Sequence, residues 1–314
     1  MNRRSLMIRA GGLVAAGGGA WWMRDHVLWP APRAGFGTGA STPWLPFVRR
    51  APLPTITVLA GGLALTALVD SGAQYSVIDR SVLAHLKTGR SLATPMRVYG
   101  VGGGSQWGRG AAIDVELPGL AVRGLHAAVL DLGEVASDPD GLATPLILGR
   151  DLLRQVVLDM DPARRRLRFA ARVGFTPAAG LKATTARARD GLSVPVTVDA
   201  AAIEATIDTG SSGMLALARN TVKATALLRT TPGRSASSLV LGGVMTARRI
   251  EARAVTFAGQ LYRGVAVDIY DPPSAPGFPD ALIGMEAFAD RRATLDLGGG
   301  TLHISRVIDL TIGR

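Results

Sequence analysis

Leu65-Thr66-Ala67-Leu68-Val69-Asp70-Ser71-Gly72-Ala73 is an apolar run that ends in a carboxylate. Ile203-Glu204-Ala205-Thr206-Ile207-Asp208-Thr209-Gly210-Ser211 repeats it 138 positions later. A carboxylate at the end of a buried run is costly unless it is hydrogen-bonded or neutralised. One such Asp can cap a turn. Two in the same local setting point to a pair that meets.

The likeness extends outward from both copies. At the same offset Ile56-Thr57-Val58 falls on Val194-Pro195-Val196, and Leu63 to Val69 falls on Ala201 to Ile207, without a gap. Downstream, Leu146-Ile147-Leu148-Gly149 matches Ala281-Leu282-Ile283-Gly284, and Leu158-Asp159 matches Leu295-Asp296, with small offset changes that loop lengths explain. A fixed-period repeat means a repeated structural unit. We therefore expect two similar lobes, 52–173 and 181–307. Alternation such as Val194, Val196, Val198 marks half-buried strands. Ala60-Gly61-Gly62 and Asp199-Ala200-Ala201 read as hairpin turns. Short helices are expected after Gly149, with Leu152, Leu153, Val156 and Val157 on one face, and around Met285 to Ala289. Aromatics are only 5% and Gly is abundant at 39 residues, which favours short strands and turns over a helical bundle. The class is all-β: two β-barrel-like lobes with a cleft between them.

The chemistry follows from the pair. Gly72 and Gly210 let each loop turn sharply and approach the other lobe. The hydroxyls of Ser71 and Thr209 can reach backbone groups across the interface and lock the loops. Two carboxylates a few ångströms apart cannot both ionise: one pKa rises and one proton is shared. The ionised member takes a proton from water, and the protonated one polarises a carbonyl and later donates. No metal, cofactor or covalent intermediate is required.

The chain resembles the pepsin/retropepsin-like aspartic proteases over both lobes, about 52–307. Asp70-Ser71-Gly72-Ala73 and Asp208-Thr209-Gly210-Ser211 correspond to that family's two catalytic loops. Leu148-Gly149-Arg150-Asp151-Leu152-Leu153 is similar to the segment that buttresses a catalytic loop in retroviral members. Tyr99-Gly100-Val101-Gly102 resembles the flap hairpin of pepsin-like members. The resemblance implies the acid-protease fold, Asp70 and Asp208 as the catalytic pair, and Tyr99, Gly100 and Gly102 over the substrate. It also implies a polypeptide substrate bound as an extended strand, and a monomer. Three departures stand out. Gln74 replaces the acid that partners the buttress Arg in retroviral members, so Arg150 needs another partner or solvent. Met285 stands where the first lobe has Arg150. Leu241-Gly242-Gly243, the second flap's counterpart, lacks a Tyr, so one working flap is expected. The rival from another class is a non-catalytic peptide-binding or scaffold protein of this fold.

Other classes fare worse. The chain has no cysteine, hence no disulfide framework, thiolate metal site or cysteine nucleophile. His26, His85, His126 and His303 lack metal-ligand spacing. Gly100 to Gly104 could cradle phosphate only before a helix, yet Ile113-Asp114-Val115-Glu116-Leu117 alternates as a strand does. The net charge of +11 comes from scattered arginines without interleaved aromatics, which argues against nucleic acid. Asp159, Asp161 and Asp296 read as structural, Trp107 as packing in its hairpin or lining a specificity pocket, and Tyr270 to Gly277 as a rigid loop that either borders the cleft or is a plain surface connection. Arg3-Arg4 before a mild Gly/Ala-rich stretch resembles a twin-arginine export signal, so 1–22 is expected to be that signal or an N-terminal membrane anchor. The body is then extracytoplasmic. The proline-rich 23–51 reads as a linker or a pro-segment.

Overall fold

The computed structural model describes residues 30–86, 90–99, 105–137, 143–178, 182–185, 191–224, 233–240, 243–271 and 278–305. Segment 1–22 and the flap glycines Gly100 and Gly102 lie outside them.

The first half runs β1 (Arg33–Phe36), β2 (Leu45–Pro46), β3 (Thr55–Ala60), β4 (Leu63–Val69), β5 (Ser76–Asp79), α1 (Arg80–Leu83), β6 (Arg90–Tyr99), β7 (Ser105–Leu117), β8 (Leu120–Leu130), α2 (Glu134–Ser137), β9 (Leu146–Leu148), α3 (Arg150–Leu153), β10 (Val156–Asp161) and β11 (Arg166–Ala171). The second runs β12 (Lys182–Thr185), β13 (Ser193–Val198), β14 (Ala201–Ile207), β15 (Leu215–Ala218), α4 (Arg219–Ala224), β16 (Arg234–Val240), β17 (Gly243–Phe257), β18 (Gln260–Tyr270), β19 (Ala281–Ile283), β20 (Ala293–Asp296) and β21 (Thr301–Ile304).

Each half closes a barrel. In the first, β8-β5-β9-β4-β3-β7 is sealed by β7 pairing back to β8. In the second, β13-β14-β19-β15-β18-β17 is sealed by β17 pairing back to β13. Closure removes unpaired strand edges. Inside, alternate residues supply the core, as in β13, where Val194, Val196 and Val198 are buried and Pro195 and Thr197 are exposed. The expected turns are present. Gly61 and Gly62 both take positive φ, as a tight two-residue hairpin requires. Asp199 does so without being glycine, held by backbone and side-chain bonds to Ala254.

A third sheet joins the halves, in the order β12-β21-β20-β10-β11-β2. Its seam is β10 against β20, with Leu158 opposite Leu295 and Asp159 opposite Thr294. Asp159 is fully buried there and accepts from Arg168, Arg292 and Thr294. The guanidinium carbons of Arg166, Arg168 and Arg292 stand 4.5, 4.9 and 5.1 Å from the Trp44 ring centroid. Residues of 23–51 thus take part in the body: β1 pairs with β8, β2 pairs with β11, and Leu45 and Phe47 are buried.

Helical content differs from expectation at one place. The helix after Gly149 spans only Arg150–Leu153, and Val156 and Val157 belong to β10. Their β-branched side chains fit the strand, and pairing with β11 and β20 outweighs the local helical spacing. Near Met285 the expected turn of helix is a 3-10 turn, Met285–Phe288.

Candidate active site

Asp70 follows β4 and Asp208 follows β14. Each of these strands is backed by a parallel partner, β9 or β19, whose last residue fixes the backbone of the Asp: Asp70 N donates to Leu148 O and Asp208 N to Ile283 O, both at 2.9 Å. Both carboxyl groups are fully buried. A methyl carbon placed on Gly72 would stand 2.5 Å from Asp208 Oδ1, and one on Gly210 2.6 Å from Asp70 Oδ2. Each carboxyl group therefore lies against the other loop's glycine, and only glycine leaves room.

The two hydroxyls cross-link the loops. Ser71 Oγ donates to Ile207 O at 2.7 Å and accepts from Thr209 N at 3.1 Å. Thr209 Oγ1 donates to Val69 O at 2.7 Å and accepts from Ser71 N at 2.9 Å. Four buried bonds thus span the lobes with near two-fold symmetry, and each hydroxyl uses both its donor and its acceptor capacity.

The carboxyl groups differ in support. Asp70 Oδ1 accepts from Gly72 N at 2.7 Å and Ala73 N at 3.1 Å. Asp208 Oδ1 accepts from Gly210 N at 2.9 Å, while Ser211 N turns to the backbone oxygen of Asp208. Neither Oδ2 accepts from a backbone or hydroxyl donor. Burial pushes Asp70 up to about 6, opposed by a hydrogen bond with Asp208 and by the Ala73 and Gly72 amides. Burial, and then the charge of Asp70, pushes Asp208 well above the ordinary carboxylate range. The additional amide on Asp70 favours its charged form, and that charge in turn favours the protonated form of Asp208.

Tyr99 closes β6 opposite Ser105, at the far end of the β6–β7 hairpin. Trp107, read as packing in that hairpin or lining a pocket, is 69% exposed. The second lobe has a hairpin in the same place, β16–β17, paired from Arg234↔Arg249 to Val240↔Gly243, and β16 packs against α2 of the first lobe.

Arg150 answers the question left by Gln74. It is 4% exposed, so solvent is not its partner. Its charge lowers the pKa of both Asp70 and Asp208, and its Nη1 would meet a methyl on Gly191 of the second lobe at 2.6 Å. Gly191 has φ +142°, a conformation glycine favours. The motif around Arg150 was visible in the sequence, but its direction was not, because Gly191 is a loop residue with no repeat counterpart to flag it.

A family model described as aspartyl protease matches residues 56–152 and 194–287, more than half of the chain. The chain belongs to the aspartyl protease family. Each matched segment of this aspartyl protease contains one Asp-(Ser/Thr)-Gly loop and its backing strand. Membership supports a protease-type enzyme at the level of the family. A search of curated proteins finds no match to the chain.

Proposed function

We propose that this aspartyl protease is an endopeptidase that hydrolyses peptide bonds with a water molecule activated between Asp70 and Asp208. The observation that carries this reading is the buried carboxyl pair, each member seated on the other loop's glycine. Binding alone would not call for two desolvated carboxyl groups, whose burial opposes ionisation. Asp70, with two amide donors, acts as general base and takes a proton from water as the oxygen attacks the scissile carbonyl. Asp208 donates its proton to the carbonyl oxygen. The resulting diol collapses with cleavage of the C–N bond as the proton gained by Asp70 passes to the leaving nitrogen and one diol hydroxyl gives its proton to Asp208, so the pair returns to its one-proton state.

The substrate is a polypeptide, taken as an extended strand beneath the β6–β7 hairpin, main chain against main chain. The protein works as a monomer, without nucleic acid, and outside the cytoplasm, with 1–22 as export signal or anchor. Cleavage of an unfolded polypeptide tests the reading. The wild type should cut, a statine-type inhibitor should block it, and Asp70→Asn and Asp208→Asn should each lose more than about 10³-fold in kcat. An Asp208→Asn variant as active as the wild type would refute it and favour a peptide-binding protein.

A further inference from the structure

The two lobes differ in how the loop behind each aspartate is tied down. In the second lobe the tie, among the described residues, is made by main chain: Gly284 N donates to Met214 O at 3.1 Å and Met285 N to Ser211 O at 2.8 Å. In the first lobe Arg150 N donates to Ala73 O at 2.9 Å, the counterpart of the second of these bonds. The counterpart of the first is missing. Gly149 N instead donates to the side chain of Ser76, Oγ, at 3.0 Å. That hydroxyl can accept from Gly149 because its own hydrogen goes to Asp151 Oδ1 at 2.8 Å. Asp151 also accepts from Ser76 N at 3.1 Å and Leu152 N at 2.9 Å. The residue at the equivalent place in the second lobe, Glu286, is exposed.

We propose that Asp151 is a positioning residue for the Asp70 loop, acting through Ser76 and Gly149, and that its ionised form is the one that holds. The inference rests on the endopeptidase reading for its effect on rate. The chemistry is that of acceptors. A carboxylate accepts at both oxygens and can take all three donors; once protonated, it offers fewer acceptor sites and brings a hydrogen of its own. The Ser76 hydroxyl, bonded to Oδ1 together with Ser76 N and Leu152 N, is then held by a weaker, neutral acceptor, and Gly149 N–H loses a firmly fixed partner. Gly149 follows Leu148, whose carbonyl holds Asp70 N, and precedes Arg150, whose N–H holds Ala73 O. Ala73 N in turn is one of the two donors on the Asp70 carboxylate. A loosened Gly149 therefore acts on the base from both sides, while the Asp208 loop has no such link.

Burial raises Asp151 to about 6, opposed by the bonds from Ser76 and Leu152, so the switch falls within an accessible pH range. Among the described residues, the ionisable groups that share its surroundings are Tyr75 on the Asp70 loop and Arg150 and Arg154 around α3. The charge of Asp151 pushes the Tyr75 phenol up, after burial, and the two arginines pull it down.

The test compares the wild type, Asp151→Asn, Ser76→Ala and the second-lobe control Glu286→Gln. Two readouts are taken: cleavage kinetics from pH 4 to 8, and exchange of the Gly149 amide hydrogen by NMR. Asp151→Asn and Ser76→Ala should lower kcat about 10- to 100-fold at pH 7 with KM within about twofold, since a small displacement of a reacting group has effects of this size. Gly149 exchange should accelerate in both, and the acid limb of kcat in Asp151→Asn should flatten to a single proton. Glu286→Gln should match the wild type. Asn fills the space of Asp, so an unfolding temperature equal to the wild type's at pH 5 separates lost positioning from lost fold. Unchanged kcat and acid limb in Asp151→Asn, or unchanged Gly149 exchange in both variants, overturns the proposal. A wild type that cuts nothing overturns the endopeptidase reading instead, and Gly149 exchange still decides whether Asp151 anchors the loop.

Discussion

At the scale of single residues, two carboxyl groups do what neither could do alone. Asp70 and Asp208 are both raised by burial, and Asp208 further by the charge of Asp70. In the proposed mechanism, the working form has Asp70 ionised and Asp208 protonated. A raised carboxylate pKa means the proton is held to higher pH, so activity falls as pH drops through the Asp70 titration near 6. It falls again on the alkaline side, where Asp208 ionises. A kcat/KM profile against pH should therefore be a bell with its acid limb near 6 and its active range reaching neutral pH. A profile that peaks below about pH 4 would contradict this assignment. The pair was legible in the sequence because Asp-(Ser/Thr)-Gly recurs after an apolar strand. The inequality of the pair was not, since it depends on whether the amide of Ala73 or Ser211 turns to a carboxylate or to a carbonyl. Ala and Ser carry the same backbone donor, and only the loop's path decides where it goes.

At the scale of elements, the two loops are held by hydroxyls rather than by shared strands. Thr209→Val keeps the shape of the side chain but removes the donor to Val69 O and the acceptor for Ser71 N, both buried. Leaving buried polar groups without partners costs about 1–3 kcal/mol each. We expect a loss of about 2–4 kcal/mol in denaturant-determined stability for Thr209→Val, the same for Ser71→Ala, and about 1–2 kcal/mol for Thr209→Ser, which keeps the hydroxyl. Equal losses for Val and Ser would show that the cross-link is not what matters. Hairpins and barrel strands were readable from alternation and from Gly61-Gly62. The helix after Gly149 was overextended because Leu152, Leu153, Val156 and Val157 satisfy a helical spacing. Nothing local shows that β11 and β20 wait on either side of Val156 to Asp161. Long-range pairing decided the element, and a single window does not contain it.

At the scale of the whole molecule, the internal repeat becomes two barrels welded by a sheet to which both halves contribute. The repeat was the most legible feature, since matching strands keep their spacing when loops change length. The lead-in was the least legible. Its prolines and lack of period hid two short strands, and Trp44 gave no sign that arginines from both lobes would gather around it. Burying Leu45 and Phe47 contributes about 1.5–3 kcal/mol each. A chain beginning at Pro52 should therefore be at least about 3 kcal/mol less stable than one beginning at Pro30. A chain starting at Pro52 that is as stable and more active would instead make 23–51 a removable pro-segment.

The proposed mechanism requires one proton held between Asp70 and Asp208. Carbon-13 NMR of aspartate-labelled protein reads it directly, as the carboxyl resonances of the pair followed from pH 3 to 9 in the wild type and in Asp70→Asn. The wild type should keep one protonated member, assigned to Asp208, after Asp70 has ionised near 6. In Asp70→Asn the Asp208 titration should move to lower pH, because the neighbouring charge is gone while burial remains. Two carboxyl groups that both ionise near pH 4, or an Asp208 titration indifferent to Asp70→Asn, would contradict it.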